Sequence, residues 1–145
     1  MALQQITSLT DEQIAELQQL YQHEWWTEGR TEDDVRKMIE NTDELVAFSE
    51  SDSGELVAFA RVLTDYVYQA LVQDVIVSEQ YRGRGVGKDV MKAIVTHPDL
   101  KSVDLVDLYC TPELREFYAS LGFTDELVND LRLMRYEGEI ESADS

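Results

Sequence analysis

The chain has 145 residues, enough for one domain with a real core and too few for two. Thirty acidic residues face twelve basic ones, a net charge of −18 that argues against nucleic acid, which needs a positive face. Apolar content of 43% predicts a folded chain; no apolar run approaches the roughly 18 residues of a membrane span, and the N-terminus lacks the basic region and apolar core of a secretory signal.

The one cysteine, Cys110, cannot form an internal disulfide, which fits a reducing, cytoplasmic setting. With only His23 and His97 beside it, far apart in the chain, no zinc site is recognisable, and no metal is expected. The acidity is spread along the chain. It fits recruitment of a polyamine or lysine-rich substrate, or adaptation to a salt-rich cytoplasm, where a Debye length of about 3 Å at molar salt screens self-repulsion. Salt adaptation is the preferred reading.

In chain order, residues 3–8 are expected as a strand. Thr10 then caps a helix, with Gln13 as its capping-box partner and Ile14, Leu17, Leu20 and Tyr21 on the buried face. Trp25 and Trp26 close this segment; read as helical they point about 100° apart, so one is expected in the core and the other at a pocket. Thr31 caps a second helix with Val35, Met38 and Ile39 inward. Residues 45–50 and 56–63 read as a hairpin around Ser51-Asp52-Ser53-Gly54. Residues 70–78, nearly all apolar, read as a central buried strand.

A glycine-rich turn follows, then a helix to about Thr96, broken by His97-Pro98-Asp99. Residues 103–109 are a further strand, with Cys110 read as a small packed residue at its end. Thr111-Pro112 opens a helix over 113–121 that Gly122 ends. Residues 123–128 and 131–136 read as a closing hairpin around Asn129-Asp130, and 137–145 as an acidic, flexible tail. One domain is expected over 1–136.

The glycine turn carries the chemistry. Residues 80–88 run Gln-Tyr-Arg-Gly-Arg-Gly-Val-Gly-Lys between a strand and a helix start. Glycines let the backbone approach an oxyanion, and free N–H groups at a helix N-terminus point at it. A phosphorylated ligand is therefore expected. A magnesium-binding P-loop is disfavoured because Asp89, not Ser or Thr, follows Gly87-Lys88. A dinucleotide fingerprint is disfavoured because the glycine spacing is wrong and the motif lies in the second half of the chain.

Arg82-x-x-Gly85-x-Gly87 instead resembles the pyrophosphate loop of the GCN5-related N-acetyltransferases. The element order β-α-α-β-β-β-α-β-α-β-β resembles that fold throughout, and Glu116-Phe117-Tyr118-Ala119-Ser120-Leu121-Gly122-Phe123 is similar to a second segment of the family. Trp26-x-x-x-Arg30, Ala58-Phe59-Ala60-Arg61-Val62-x-Thr64-Asp65, Asp74-Val75-x-Val77 and His97-Pro98-Asp99-Leu100 resemble a small bacterial and archaeal branch, mostly of unassigned substrate. The resemblance implies an α/β fold: a central mixed sheet with helices on both faces.

It also implies acetyl-coenzyme A as acetyl donor and a primary amine, small or on a protein, as acceptor. Gly83, Arg84, Gly85, Val86, Gly87 and Lys88, with Arg82, would hold the pyrophosphate. The strand Val75-Ile76-Val77 would carry a bulge, part from its parallel neighbour, admit the pantetheine arm and aim an N–H at the thioester oxygen. Tyr118 would protonate the departing thiolate. Relatives often place a glutamate one residue before Asp74; here Gln73 stands there, leaving Asp74 as a base acting through water or as a strand anchor. Trp26, Arg30, Arg61 and Asp65 are expected to line the acceptor side, with an Arg61–Asp65 ion pair as the alternative for Arg61. The resemblance adds the homodimers, paired through terminal strands, that the family often forms. A reading from another class is a slow or non-catalytic acyl-coenzyme A-binding regulator.

Overall fold

The computed structural model describes residues 2–138. It divides into two compact units, Met1–Cys110 and Thr111–Ser145. The part of the expected acidic tail beyond Gly138 lies outside the described residues.

The first unit is a five-stranded sheet in the order β1-β2-β3-β4-β5. Its strands are β1 (Leu3–Ile6), β2 (Glu44–Glu50), β3 (Leu56–Thr64), β4 (Gln69–Val77) and β5 (Leu105–Leu108). β1 to β4 are antiparallel neighbours, and β4–β5 is parallel. Helices α1 (Asp11–Gln22) and α2 (Glu32–Glu40) pack on one face, where Leu17, Tyr21 and Val35 meet Leu45, Ala47, Phe59 and Ile76. Strand alternation turns Val46, Ala58, Ala60, Val62 and Val72 to the other face. Helix α3 (Val86–Val95) covers it with Val86, Val90, Met91 and Ile94.

The helix starts follow from local chemistry. Thr10 and Gln13 form the reciprocal capping box, and the Thr31 hydroxyl accepts the Asp34 N–H at 3.2 Å. The two tryptophans depart from expectation: Trp25 is 77% exposed and Trp26 38%. The helix ends at Gln22, so helical periodicity does not govern residues 23–30. Thr27 is buried there instead, donating its hydroxyl proton to the Tyr21 carbonyl at 2.8 Å. Cys110 is exposed rather than packed. Among the described residues no helix is long and apolar enough to cross a membrane.

In the second unit a 3₁₀ turn at Pro112–Leu114 leads into α4 (Arg115–Ser120), which Gly122 ends at φ +101°. The closing hairpin expected over 123–136 does not form. Its turn does: Asn129 and Asp130 both take left-handed backbone, as a tight hairpin turn requires. The flanks make no ladder, and Val128, Leu131, Leu133 and Met134 stay exposed. A lone two-stranded ladder is marginal in water, and good turn residues alone do not hold it.

Candidate active site

The centre of the first unit's site is an irregularity in β4. Phe59 pairs with Ile76 and Arg61 with Gln73, so two steps along β3 span three along β4. The extra residue is a β-bulge, and Asp74 takes φ +57° within it. On the other edge, pairing with β5 stops at Val72–Leu108. Among the described residues, 73–77 therefore have β3 on one side and no paired strand on the other. The expected bulge and parting are both present. Gln73 donates from Nε2 to the Tyr109 hydroxyl at 3.1 Å, next to where the strands separate.

Beyond β4, a 3₁₀ turn at Glu79–Tyr81 leads into the glycine loop. Gly83 (φ +77°) and Gly85 (φ +79°) occupy left-handed backbone that side-chain-bearing residues rarely adopt. Gly85 is the N-cap of α3 and has no side chain to cap it, so the N–H groups of Val86, Gly87 and Lys88 open the helix. Such a terminus favours an anion. Arg84 stacks over the Tyr81 ring at 5.4 Å, and Lys88 is exposed. Arg82 points elsewhere: its guanidinium donates to the Val77 carbonyl at 3.1 Å and to Glu24 at 2.6 Å.

The bulge carries a buried ion cluster. Asp74 Oδ2 accepts from Arg30 at 2.7 Å, from Arg61 Nε at 2.7 Å and from the Tyr21 hydroxyl at 3.1 Å. Its side chain is 6% exposed, against 13% for Arg61 and 31% for Arg30. Burial works against the carboxylate's charge, but hydrogen bonds from Arg30 and Arg61, with their charges, prevail and hold Asp74 below its ordinary range. Burial first, then the Asp74 charge, pushes the Tyr21 phenol far up, so it stays a donor. Arg61 thus has an ion-pair partner, but Asp74 rather than the expected Asp65.

Asp65 lies in the turn that precedes β4, at the opposite end of that strand from the glycine loop. Its Oδ1 accepts the N–H groups of Val67, Tyr68 and Gln69 at 2.9, 2.7 and 3.1 Å, which hold its carboxyl below the usual range. Of the four expected acceptor-side residues, the structure joins Arg30 and Arg61 through Asp74. Trp26 lies in the loop that Arg30 ends, and Asp65 stands apart.

A cleft of about 830 Å³ runs between α1 and the C-terminal end of β4, lined among others by Glu16, His23, Glu55, Val77, Glu79 and Arg82. Burial pushes the Glu16 carboxyl up, against the Leu56 N–H it accepts; Glu55 and Glu12 add to the rise. Sequence reasoning passed over Glu16 because it sits on a helix where a polar residue needs no explanation. Far from the cleft in sequence, Glu44, His97 and Asp99 bring potential ligand atoms within 4.8 Å. Both ring nitrogens are already engaged: Nδ1 accepts the Asp99 N–H at 3.0 Å and Nε2 faces Glu44 at 3.1 Å.

In the second unit, Tyr118 is buried on α4, edge-on to Phe117 at 5.0 Å and to Phe123 at 6.0 Å between ring centres.

Comparison with known proteins agrees with this fold. Residues 41–125 match the family model described as an acetyltransferase (GNAT) domain. The chain belongs to the GNAT family. It is 32% identical over 120 residues to rice serotonin N-acetyltransferase 2, chloroplastic, covering 80% of this chain and 60% of that protein. It is 33% identical over 115 residues to an uncharacterised ycf52-like N-acetyltransferase of Prochlorococcus marinus, covering 78% and 63%. The chain thus spans less than two thirds of both curated relatives. Among solved structures, an acetyltransferase of the GNAT family from Xanthomonas campestris superposes with a TM-score of 0.79 at 29% identity, covering 94% of each chain. AAC(6')-Iy, in complex with a coenzyme A bisubstrate analog, shares the fold at a TM-score of 0.70 and 18% identity, covering 97% of this chain and all of that one.

Within this GNAT fold, the bulge, the parted strands and the uncapped helix form one continuous stretch of chain, residues 73–88. Sequence alone named most of its members. It did not reveal Tyr21 as a ligand of Asp74, since a tyrosine at helical core spacing reads as packing.

Proposed function

We propose that the chain is an acetyl-coenzyme A-dependent N-acetyltransferase that moves an acetyl group to a primary amine by direct attack in a ternary complex. The observation that carries this reading is the bulged, half-unpaired end of β4 leading straight into the uncapped N-terminus of α3. Acetyl-coenzyme A would supply the acyl group as a thioester.

The N–H groups of Val86, Gly87 and Lys88 receive the pyrophosphate, and Gly83 and Gly85 let the loop take its shape. Val75, Ile76 and Val77 offer strand-edge amides to the pantetheine arm, one of them to the thioester oxygen. A donor aimed where negative charge develops contributes about 2.7–4 kcal/mol in well-studied enzymes. An acceptor that arrives as an ammonium first gives one proton to water; the neutral nitrogen then bonds the acetyl carbon as the carbon–sulfur bond breaks, and loses a second proton to water. Tyr118 donates a proton to the departing sulfur, a role carried by the likeness of its segment to the family's. The carboxylates of Glu16, Glu55 and Glu79 in the cleft favour an acceptor that arrives as a cation. Asp74, bound by three donors, is ill-suited to take a proton from it.

The test is coenzyme A release from acetyl-coenzyme A over a panel of primary amines, polyamines, amino acids and lysine peptides, at 0.1 M and molar potassium chloride. Turnover on one amine class is expected. Tyr118→Phe should lower kcat by about 100-fold with cofactor affinity kept; unchanged turnover would remove Tyr118 from the mechanism. Cofactor binding with no turnover on any amine would overturn the enzyme reading in favour of an acyl-coenzyme A-responsive regulator. Gln73, standing where relatives often carry a glutamate, is the feature that favours that second reading.

A further inference from the structure

We infer that Asp74 is a positioning residue: with Tyr21, Arg30 and Arg61 it holds the β4 bulge in shape and fastens the loop carrying Trp26 to it. This rests on the reading that the end of β4 addresses the thioester.

Three observations lead there. The first is backbone geometry. Left-handed backbone at a residue other than glycine persists where its surroundings over-determine it, and aspartate is among the few side chains that tolerate it. Asp74 sits at φ +57° at the point where the register gains a residue. The second is convergence. One carboxylate gathers donors from three separate places: Tyr21 on α1, Arg30 at the end of the 23–30 loop, and Arg61 on β3. Arg30 is fixed from behind, because its carbonyl accepts from Gln18 at 3.1 Å and from Gln22 at 2.9 Å, both on α1. Its guanidinium also lies 4.6 Å from the Tyr21 ring centre. The third is charge. Two guanidinium groups, Arg61 13% and Arg30 31% exposed, face one carboxylate, so a proton moving onto Asp74 would leave two partly buried cations without their shared anion.

The bulge and the acceptor-side loop therefore share one anchor. Loosening it should disturb both the N–H directions at 75–77 and the placement of Trp26. A base would behave differently, because its loss is felt only while the amine still carries its proton.

Three measurements on the wild type, Asp74→Asn and Arg30→Lys decide it: amide hydrogen exchange over 73–77, acetyl-coenzyme A affinity, and turnover from pH 6.5 to 9.5. Asn keeps the size and the tolerance of left-handed backbone while losing the charge. For Asp74→Asn, exchange over 73–77 should rise about tenfold or more. Its kcat should fall about tenfold or more at every pH, with background hydrolysis of acetyl-coenzyme A falling by the same factor. Cofactor affinity should fall by less than kcat does, because the amides at 75–77 that meet the pantetheine arm are loosened while the α3 terminus is untouched. Arg30→Lys keeps the Arg61–Asp74 pair and should fold even if Asp74→Asn does not. It should raise the amine KM more than it lowers kcat.

A deficit in Asp74→Asn that disappears at high pH would make Asp74 a base and overturn the inference. So would exchange over 73–77 unchanged in both variants. If the wild type turns over no amine, the functional reading fails by itself, and hydrogen exchange still decides what the cluster holds.

Discussion

The two halves of β4 are one strand built to different rules. From Gln69 to Val72 it pairs with β3 on one side and β5 on the other, and Ala70 and Val72 are buried. From Gln73 to Val77 it bulges, loses its parallel neighbour and places a carboxylate among guanidinium groups. The first half satisfies its backbone within the ladder and gains stability from apolar burial. The second leaves backbone donors on an open edge and departs from local rules where chemistry is expected. The proposed chemistry thus falls on one half of a single nine-residue strand, and the two halves draw their stability from different sources.

The comparison breaks most sharply at Asp74. Asp74→Ala strips the anion from two guanidinium groups and should cost about 3 kcal/mol, the low end for a buried pair losing one partner. Urea denaturation measures it, and a loss under about 1 kcal/mol would mean that packing alone holds the second half. Gly85→Val tests what that half leads into. A β-branched side chain at φ +79° strains the loop, and cofactor affinity by calorimetry should fall about 100-fold, or 2.7 kcal/mol. Retained affinity would remove the cradle.

Val72→Ala probes the first half. Lost burial and the cavity left behind should cost about 2 kcal/mol in the same urea experiment. Turnover per folded molecule should be unchanged; a drop would show the halves to be coupled. The smallest effect is in pH. Asp74 titrates lower folded than unfolded, so its stabilisation is fully present above the unfolded value, near 4. It is lost as pH falls through the lower folded value. The stability gap between wild type and Asp74→Asn should be flat from about pH 8 to 5 and narrow below about pH 4. A gap that widens in acid would contradict the ion cluster.

Much of the first unit was legible locally. Thr10 and Thr31 start their helices because a hydroxyl reaches an N–H three residues on, which no distant contact alters. The glycine loop was legible because Gly83 and Gly85 meet a backbone need that few other residues meet. Misreadings arose where a partner far along the chain decided the outcome. Arg61 looked toward Asp65, four residues away, but Asp65 spends its oxygen on its own turn and Arg61 meets Asp74. Trp25 and Trp26 were placed by a helical period that stops at Gln22. Asn129-Asp130 encoded a hairpin turn that formed without its hairpin, because turn chemistry is local and a ladder is not.

The sequence by itself determined the element order of the first unit, the helix starts, the central strand and the glycine loop, all properties of neighbouring residues. It also carried the family resemblance that the comparisons bear out. Only the tertiary structure decided what Asp74 does. Its partners come from positions 21, 30 and 61, and a carboxylate's availability depends on which donors the fold brings to it. The bulge likewise belongs to the tertiary structure, since a register is a relation between two strands and neither one holds it alone.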